Sequence, residues 1–215
     1  MSREYWDQWL AGKTKGDLFV DILLLKEMMQ RHLSTVLDMG SGDGSFIRGL
    51  GKLGFRITCV DYSQQALCYL RGISQDRTIQ HMDVVCAHIL SLPFFDDSFG
   101  VVTSLNVMNF FLDESEREKA FEEALRVIKP GGLFMAVVLS TEDEGRERGT
   151  PLGDGNFQLP DGKCLHYYSP SELERLVDPL CIHQLEQFHV EDTSHDVLHT
   201  HGFIRVLGSL DEKVY

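Results

Sequence analysis

Short apolar runs alternate with helix-like patterns along most of the chain. Apolar residues at helical spacing follow several of these runs, for example Phe46, Leu50 and Leu53 after the first. Strands that alternate with helices in this way predict a parallel sheet covered by helices on both faces. Five runs have the length and composition of buried strands, the third being the weakest: residues 35–39, 56–61, 78–82, 99–105 and 133–139.

Residues 140–165 interrupt this alternation, because they are charged, glycine-rich and show little periodicity. A connection of this length predicts a functional loop or a disordered segment. After it, the sequence SPSE at Ser169–Glu172 predicts a short helix with a serine cap and a proline in its first turn. Residues 181–190 and 199–208 predict two final strands, an antiparallel pair at one edge of the sheet.

The composition of the chain indicates which classes of binding partner to expect. The chain has 215 residues, of which 43% are hydrophobic, and this favours one domain with a substantial core. Acidic residues outnumber basic ones by 33 to 20, which gives a formal charge of −13. Because binding to a polyanion depends on clustered lysine and arginine, we expect that nucleic acid is not the partner.

The cysteines and the first residues of the chain indicate the cellular compartment of the protein. The five cysteines are scattered and contain no Cys-x-x-Cys pair, so the sequence predicts neither a disulfide framework nor a zinc site. The first residues have no apolar stretch typical of a secretion signal, and no apolar run approaches the length of a membrane span. These features predict a cytoplasmic protein.

The stretch VLDMGSGDGSF, residues 36–46, places Gly40, Gly42 and Gly44 between the first strand and the first helix. Glycines allow a ligand or another segment to approach the main chain closely. In an open parallel sheet, nucleotides bind at such a turn, beside the carboxyl ends of the strands. The alternative is a tight connection that binds nothing.

The spacing of these glycines distinguishes two classes of nucleotide cofactor. Dinucleotide-binding proteins use G-x-G-x-x-G, whereas this chain reads G-x-G-x-G. Asp38 precedes the turn, and its carboxylate would repel a pyrophosphate but suits a cationic ligand. A nicotinamide-dependent reductase therefore remains an alternative that both features disfavour.

The chain resembles the class I S-adenosylmethionine-dependent methyltransferases over residues 35–139. The segments that match are Asp38 with the three glycines, Asp61 at the end of the second strand, LPFFDDSFGVV and VIKPGGLFMAVV, in the family's order. The resemblance implies an α/β, three-layer, Rossmann-like fold. Its seven-stranded, mostly parallel sheet would carry an antiparallel C-terminal pair at one edge. The resemblance also implies S-adenosyl-L-methionine as cofactor and S-adenosyl-L-homocysteine as product.

The same resemblance implies the roles of the cofactor-site residues. Asp61 is expected to accept hydrogen bonds from both ribose hydroxyls. The glycine turn is expected to face the methionine part, with Asp38 supporting it directly or through water. The expected cofactor contacts are Asp38, Gly40, Ser41, Gly42, Gly44, Asp61, Tyr62, Asp83, Val84 and Asn106.

The contact with adenine departs from the family pattern. The family commonly has an aspartate five residues before the proline of the LP pair, and here His88 occupies that position. Asp83 lies ten residues before Pro93. We favour Asp83 because it directly follows the predicted third strand, with His88 as the alternative through stacking or hydrogen bonding.

The candidates for contact with the methyl acceptor lie in three places, of which one is His166, Tyr167 and Tyr168 before the short helix. Asn106 and Asn109 follow the fourth strand and either orient an acceptor or cap the turn. His199 and His201 share one face of the last strand, where one of them contacts the acceptor or removes its proton. The alternative is a solvated histidine on an edge strand. His195 would complete three histidines, but not a full ligand set, so no metal is predicted.

These expectations describe a single methyltransferase domain over residues 1–215. Residues 1–34 form a helical cover, 35–139 the cofactor half and 140–215 the acceptor side. Tyr5, Trp6 and Trp9 either close over the pocket or only dock the N-terminal segment. The acceptor is expected to be a small molecule of undetermined identity. A protein that binds the cofactor without catalysis is a further alternative, and the sequence does not indicate the oligomeric state.

Overall fold

The computed structural model describes residues 21–192 and 199–210. A 3-10 turn, Met108–Phe110, follows the fourth strand. The helices are α1 Ile22–Gln30, α2 Ser45–Lys52, α3 Gln64–Ser74, α4 Glu114–Arg126, α5 Glu144–Arg148 and α6 Pro170–Leu176. The strands are β1 Thr35–Met39, β2 Arg56–Asp61, β3 Met82–Cys86, β4 Phe99–Leu105, β5 Ile128–Leu139, β6 Thr150–Gly153, β7 Asn156–Gln158, β8 Cys164–His166, β9 Leu180–Asp192 and β10 His199–Leu210.

Seven strands form the main sheet, in the order β3-β2-β1-β4-β5-β10-β9. Strands β1 to β5 pair in parallel, whereas β10 pairs antiparallel with both β5 and β9. This confirms the predicted fold class. The strand order reverses between β1 and β4, and such a reversal opens a crevice at the carboxyl ends of the two strands.

Successive residues of the buried strands point to opposite faces of the sheet, as the period of two requires. Val36 packs in the same apolar cluster as Leu24 of α1 and Leu50 of α2. Leu37, its neighbour, packs on the other side with Phe121 of α4 and Leu173 of α6. The molecule therefore has three layers, with α1, α2 and α3 on one face and α4 and α6 on the other. Within the described residues, no helix is long and apolar enough to cross a membrane.

Two predicted strand boundaries were wrong. The third strand begins at Met82 instead of Thr78, because the Asp76 carboxylate accepts hydrogen bonds from the amide and hydroxyl of Thr78 and holds a turn there. The fifth strand begins at Ile128 and includes the KPGG segment, which had been expected to precede it. Phe99 of β4 pairs with Ile128, whereas Val101 pairs with Leu133, so the register shifts between them. The KPGG segment therefore forms an irregularity within β5.

Residues 140–165 were predicted to be a loop or disordered, but much of this segment is folded. It contains helix α5 and a small antiparallel sheet in which β7 lies between β6 and β8. These strands have three or four residues, which is too short to produce a recognisable alternation. The side chains of Leu139, Leu165 and Tyr167 form an apolar cluster between the small sheet and the end of β5. We call this segment the acceptor-side insertion.

The first described residues attach the N-terminal side of the chain to β10. The Asp21 side chain accepts a hydrogen bond from the Leu24 amide and so caps α1. The other oxygen of this buried carboxylate pairs with the guanidinium of Arg205 on β10. Tyr5, Trp6 and Trp9 lie outside the described residues.

The Arg126 guanidinium fastens the segment that connects β3 to β4. It donates to the carbonyl oxygens of Leu92 and Phe94 and to the carboxylates of Asp96 and Glu123. The Arg126 hydrogen bond lowers the pKa of Glu123 to about 2, and a hydrogen bond from the Leu92 amide acts in the same direction.

We expect Arg126→Ala to lower the free energy of unfolding by about 1–3 kcal/mol at pH 7, because buried acceptors lose their donor. Denaturant unfolding measures the change. Because the pKa of Glu123 is depressed in the folded state, the contribution is present above its ordinary value of 4.5 and is lost as the pH falls toward 2. Arg175→Ala, which breaks exposed ion pairs with Glu114 and Glu118, is the control and should change the stability much less, because solvent screens exposed pairs. Equal effects of the two variants would contradict the assignment.

Candidate cofactor and acceptor site

All three glycines of the turn after β1 have positive φ angles: +69° at Gly40, +54° at Gly42 and +71° at Gly44. Two of them also make room for side chains of the protein itself. A Cβ atom on Gly40 would lie 2.6 Å from the Val107 side chain, and one on Gly44 would lie 2.5 Å from that of Ile73. The turn therefore needs glycine for backbone conformation and for packing.

The Asp61 carboxylate joins the end of β2 to this turn. Its Oδ2 accepts the Gly42 amide at 2.9 Å, and its Oδ1 accepts the Ser63 amide, also at 2.9 Å. A carboxylate has about four acceptor positions in all, which is more than two amides occupy. A ribose diol, which offers two neighbouring hydroxyls, matches this arrangement. Tyr62, a predicted contact, follows Asp61 directly at this edge of the sheet.

The Asp38 carboxylate lies at the end of β1, with 4% of the residue exposed. Its Oδ1 accepts a hydrogen bond of 2.6 Å from the Thr103 hydroxyl, whereas Ser41, another predicted contact, donates its hydroxyl to the Asp38 main-chain oxygen. Burial raises the pKa of Asp38 from 3.8 to about 6, against the opposing effect of these hydroxyls. The nearby Asp61 charge adds to the increase. A cationic ligand would offset this cost of burying the charge.

The reason for choosing Asp83 as the adenine contact was wrong. Asp83 is the second residue of β3 and pairs with Thr58, whereas Cys86 pairs with Asp61. Three residues of strand place Asp83 about 10 Å from the level of Asp61. Val84, the adjacent predicted contact, pairs with Cys59 and also lies within the strand.

His88 lies instead just beyond the carboxyl end of β3. Its ring is 5.3 Å from that of Tyr62, centroid to centroid, and 6.2 Å from that of Phe111. Phe111 follows the 3-10 turn after β4 and had not been predicted as a site residue. The family position that commonly carries aspartate is therefore part of an aromatic cluster here.

Asn106 and Asn109 differ in their surroundings. Asn106 is exposed at the end of β4, with a φ angle of +57°. Asn109 is 1% exposed, and its Oδ1 accepts the Leu139 amide at 2.9 Å. The geometry of Asn109 fits the alternative in which it supports the turn.

His201 lies near the start of β10, and its Nδ1 is 2.9 Å from Oδ2 of Asp143. The strand register relates it to β4: Leu105 pairs with Val137, and Val137 pairs with Arg205. His201 precedes Arg205 by four residues on β10, which lies two strands away from β4. Because β10 runs antiparallel to β5, His201 lies past the carboxyl end of β4. Strand geometry therefore puts its Cα roughly 16 Å from that of Leu105. The His199 side chain and the whole of His195 lie outside the described part of the structure.

Asp143 was not predicted as a site residue. This residue is 1% exposed and caps α5 through a hydrogen bond from the Gly145 amide. Its signal in the sequence was an aspartate in a capping position ahead of a short charged stretch, which the glycines of that region obscured.

A buried polar network attaches the acceptor-side insertion to helices α4 and α6. Nδ1 of His166 lies 2.9 Å from Oδ1 of Asn156, and Nε2 lies 3.0 Å from Glu172. Glu172 also faces Nε of Arg117 at 3.4 Å, and Arg117 donates to the main-chain oxygen of Leu112. His166 and Arg117 hold the pKa of Glu172 below its usual value although burial opposes them. In the described parts of the chain, no cluster of three His, Cys, Asp or Glu residues is placed to hold a metal ion.

Comparison with known proteins relates this chain to a protein family. Residues 37–136 match the methyltransferase domain family. The solved structure of a SAM-dependent methyltransferase from Methanosarcina mazei superposes with a TM-score of 0.76 at 19% identity, and the match covers 92% of this chain and 100% of that chain. Its likeness concerns the fold.

Two curated relatives are similar in sequence over about half of this chain. One is the tRNA (carboxymethyluridine(34)-5-O)-methyltransferase of Arabidopsis thaliana, 30% identical over 112 residues, which are 52% of this chain and 25% of the relative. The other is the glycine/sarcosine/dimethylglycine N-methyltransferase of Actinopolyspora halophila, 31% identical over 121 residues, which are 54% of this chain and 21% of the relative. The chain thus spans a quarter or less of either relative.

The family match covers β1 to β5, where the glycine turn, Asp38 and Asp61 are located. Strands β9 and β10, which lie beyond the matched region, complete the seven-stranded sheet that the family resemblance implied. The chain therefore carries a methyltransferase domain over residues 37–136, in a fold that it shares with solved SAM-dependent methyltransferases.

Proposed function

We propose that the protein transfers the methyl group of S-adenosylmethionine to a small-molecule acceptor. The observation that carries this proposal is the pair of carboxylates at neighbouring strand ends. Asp61 offers acceptor oxygens to a diol, and the buried Asp38 favours a positive charge. S-adenosylmethionine carries both groups, whereas a dinucleotide would bring a pyrophosphate toward Asp38.

The residues at this edge fit the parts of the cofactor in order. Asp61 would hold the ribose, and the turn at Gly40 and Gly42 would lie against the methionine part with Asp38 behind it. At the adenine end, Tyr62 and His88 supply ring faces. Asp83 and Val84 are too far down β3 for this role. The expected contribution of Asn106 rests on its exposed position at the end of β4.

The cofactor, when bound, supplies an electrophilic methyl group on a sulfonium. The protein then has to hold the acceptor in line with that methyl and to exclude water. The turn after β4 supports this geometry, because Asn109 fastens it to the end of β5 through the Leu139 amide. A general base must come within hydrogen-bond distance of the acceptor, and the Cα of His201 lies roughly 16 Å from that of Leu105, so the catalytic role of His201 stays a prediction. For His199 the proposal of a catalytic role rests on sequence alone.

Charge and apolar packing favour a small acceptor. The acceptor-side insertion, residues 140–165, is acidic, because it contains six acidic residues and three basic ones. A tRNA phosphate backbone would be repelled there. Partly buried apolar side chains border the insertion, among them Phe110, Phe157 and Phe203. The two curated relatives, one named for tRNA and one for small amines, leave both classes open, and the acidic insertion favours the small molecule.

We expect Asp61→Asn to weaken binding of S-adenosylmethionine and S-adenosylhomocysteine by about 10- to 100-fold, because hydrogen bonds to a charged acceptor are lost. Isothermal titration calorimetry measures both affinities. Asp83→Asn is the matched control and should bind as the wild type does, since Asp83 lies inside β3.

Weakened binding in Asp83→Asn with full binding in Asp61→Asn would reverse the assignment of the two carboxylates. Failure of the wild-type protein to bind either ligand would refute the proposed function. Binding without methyl transfer to any acceptor would support the non-catalytic alternative.

Binding of S-adenosylmethionine should depend on pH through Asp38. Because the pKa of Asp38 is raised to about 6, its carboxylate is ionised at pH 7 and mostly protonated at pH 5. The positively charged ligand favours the ionised form, so affinity should fall about tenfold between pH 7 and pH 5.

The matched variant is Asp38→Asn, titrated over the same range. It should bind more weakly at pH 7 and show little change between pH 7 and pH 5. An equal decrease in the variant and the wild type would show that another group causes the pH dependence.

A further inference from the structure

The turn that follows β3 holds the His88 ring in one orientation. The Leu90 amide donates a hydrogen bond of 3.3 Å to Nδ1 of His88, and the Ser91 amide donates one of 3.0 Å to the His88 main-chain oxygen. Ile89 and Leu92, in the same segment, are buried in the core together with residues of α4. The side chain and the main chain of His88 are therefore both fixed by a turn that is anchored in the core.

The contact with Leu90 determines which ring nitrogen of His88 carries the hydrogen. A nitrogen that accepts an amide hydrogen uses its lone pair, so Nδ1 carries no hydrogen and the neutral ring carries it on Nε2. Among the described residues, the hydrogen bond to this ring is the one from Leu90, and His88 as a whole is exposed. The ring therefore presents a hydrogen-bond donor, Nε2–H, at this edge of the sheet.

The same turn lies beside Asp61. The Ala87 amide donates to the Asp61 main-chain oxygen at 3.1 Å, which ties the residue before His88 to the end of β2. If Asp61 holds the ribose, the base that is joined to this ribose lies next to the turn. There it meets the rings of His88 and Tyr62, whereas Asp83 lies further back along β3.

We propose that His88 recognises the purine base of the cofactor as a hydrogen-bond donor, from Nε2–H to a ring nitrogen, and that the site does not recognise the amino group at position 6. This inference rests on the proposed function and adds the base specificity of the same site. The amino group of adenine donates hydrogen bonds, so it does not pair with Nε2–H. The ring nitrogens of a purine accept them.

Two ligands isolate the contribution of the amino group: S-adenosylhomocysteine and its purine analogue without the 6-amino group. Both contain the same ring nitrogens, ribose and homocysteine part. Isothermal titration calorimetry on the full-length protein gives the two dissociation constants. Their ratio is taken within each variant, because this cancels the effect of a substitution on folding or on the rest of the site.

The wild type should bind the two ligands with affinities within about threefold of each other. His88→Asp replaces the donor by an acceptor, so this variant should prefer S-adenosylhomocysteine about tenfold. His88→Phe keeps an aromatic ring and loses the donor. It should bind both ligands about 3- to 10-fold more weakly than the wild type, with the ratio unchanged.

His81→Phe is the matched control. His81 is also exposed and directly precedes β3, at the opposite end of the strand from His88. This variant should bind both ligands as the wild type does. A tenfold or larger preference of the wild type for S-adenosylhomocysteine would overturn the proposal, because an acceptor would then recognise the amino group. Full affinity of His88→Phe for both ligands would also overturn it.

The tautomer of His88 is a readout that requires no ligand. Long-range ¹⁵N–¹H correlation at pH 8 should show the Nε2–H form, and saturating S-adenosylhomocysteine should shift the Nε2 resonance of His88 while that of His81 stays in place. An Nδ1–H form of His88, or an Nε2 resonance that does not respond to the bound ligand, would refute the donor role.

These results distinguish the role of His88 from the proposed function. Binding of S-adenosylhomocysteine that depends strongly on the amino group would refute only the donor role and leave the proposed function intact. Failure of the wild type to bind either ligand would refute both, whichever tautomer His88 adopts.

Discussion

Asp61 accepts amide hydrogens from Gly42, in the turn after β1, and from Ser63, the cap of α3. This carboxylate positions the first turn relative to the second strand, together with the Val60 main-chain oxygen, which accepts the Gly40 and Ser41 amides. The same turn contains Gly40, which leaves space for the Val107 side chain after β4. The turn therefore connects Asp61 to the β4 side of the crevice. The cofactor site is thus continuous with the packing of the sheet, and the same residues that fold the turn also present its polar groups.

The acceptor side is built differently, by a folded insertion attached through buried polar contacts. His166, Glu172 and Arg117 join the small sheet to α6 and to the start of α4, and Asn156 donates to the main-chain oxygen of Leu112. Because each buried polar atom in such a network is costly to leave without a partner, the insertion is held in one arrangement.

The sequence predicted the parts of the structure that depend on strong local patterns. Strands β1, β2 and β4 follow from their apolar runs, and the resemblance of the glycine turn and Asp61 to a family suggested the cofactor site that we propose. Strand β3 was misplaced because its residues are only partly buried, and the preference for Asp83 over the alternative His88 depended on that placement. The small sheet, the Asp143–His201 contact and the aromatic cluster at His88 depend on contacts between distant residues. Asp143 and His201 are 58 residues apart, so no local pattern connects them.

The most direct measurement of the central claim is a crystal structure of the protein grown with saturating S-adenosylhomocysteine. The account predicts that the ribose hydroxyls bind Asp61, that the adenine lies beside Tyr62 and His88, and that the sulfur faces the end of β4. A ligand bound elsewhere, or ordered in this crevice without contact to Asp61, would contradict it.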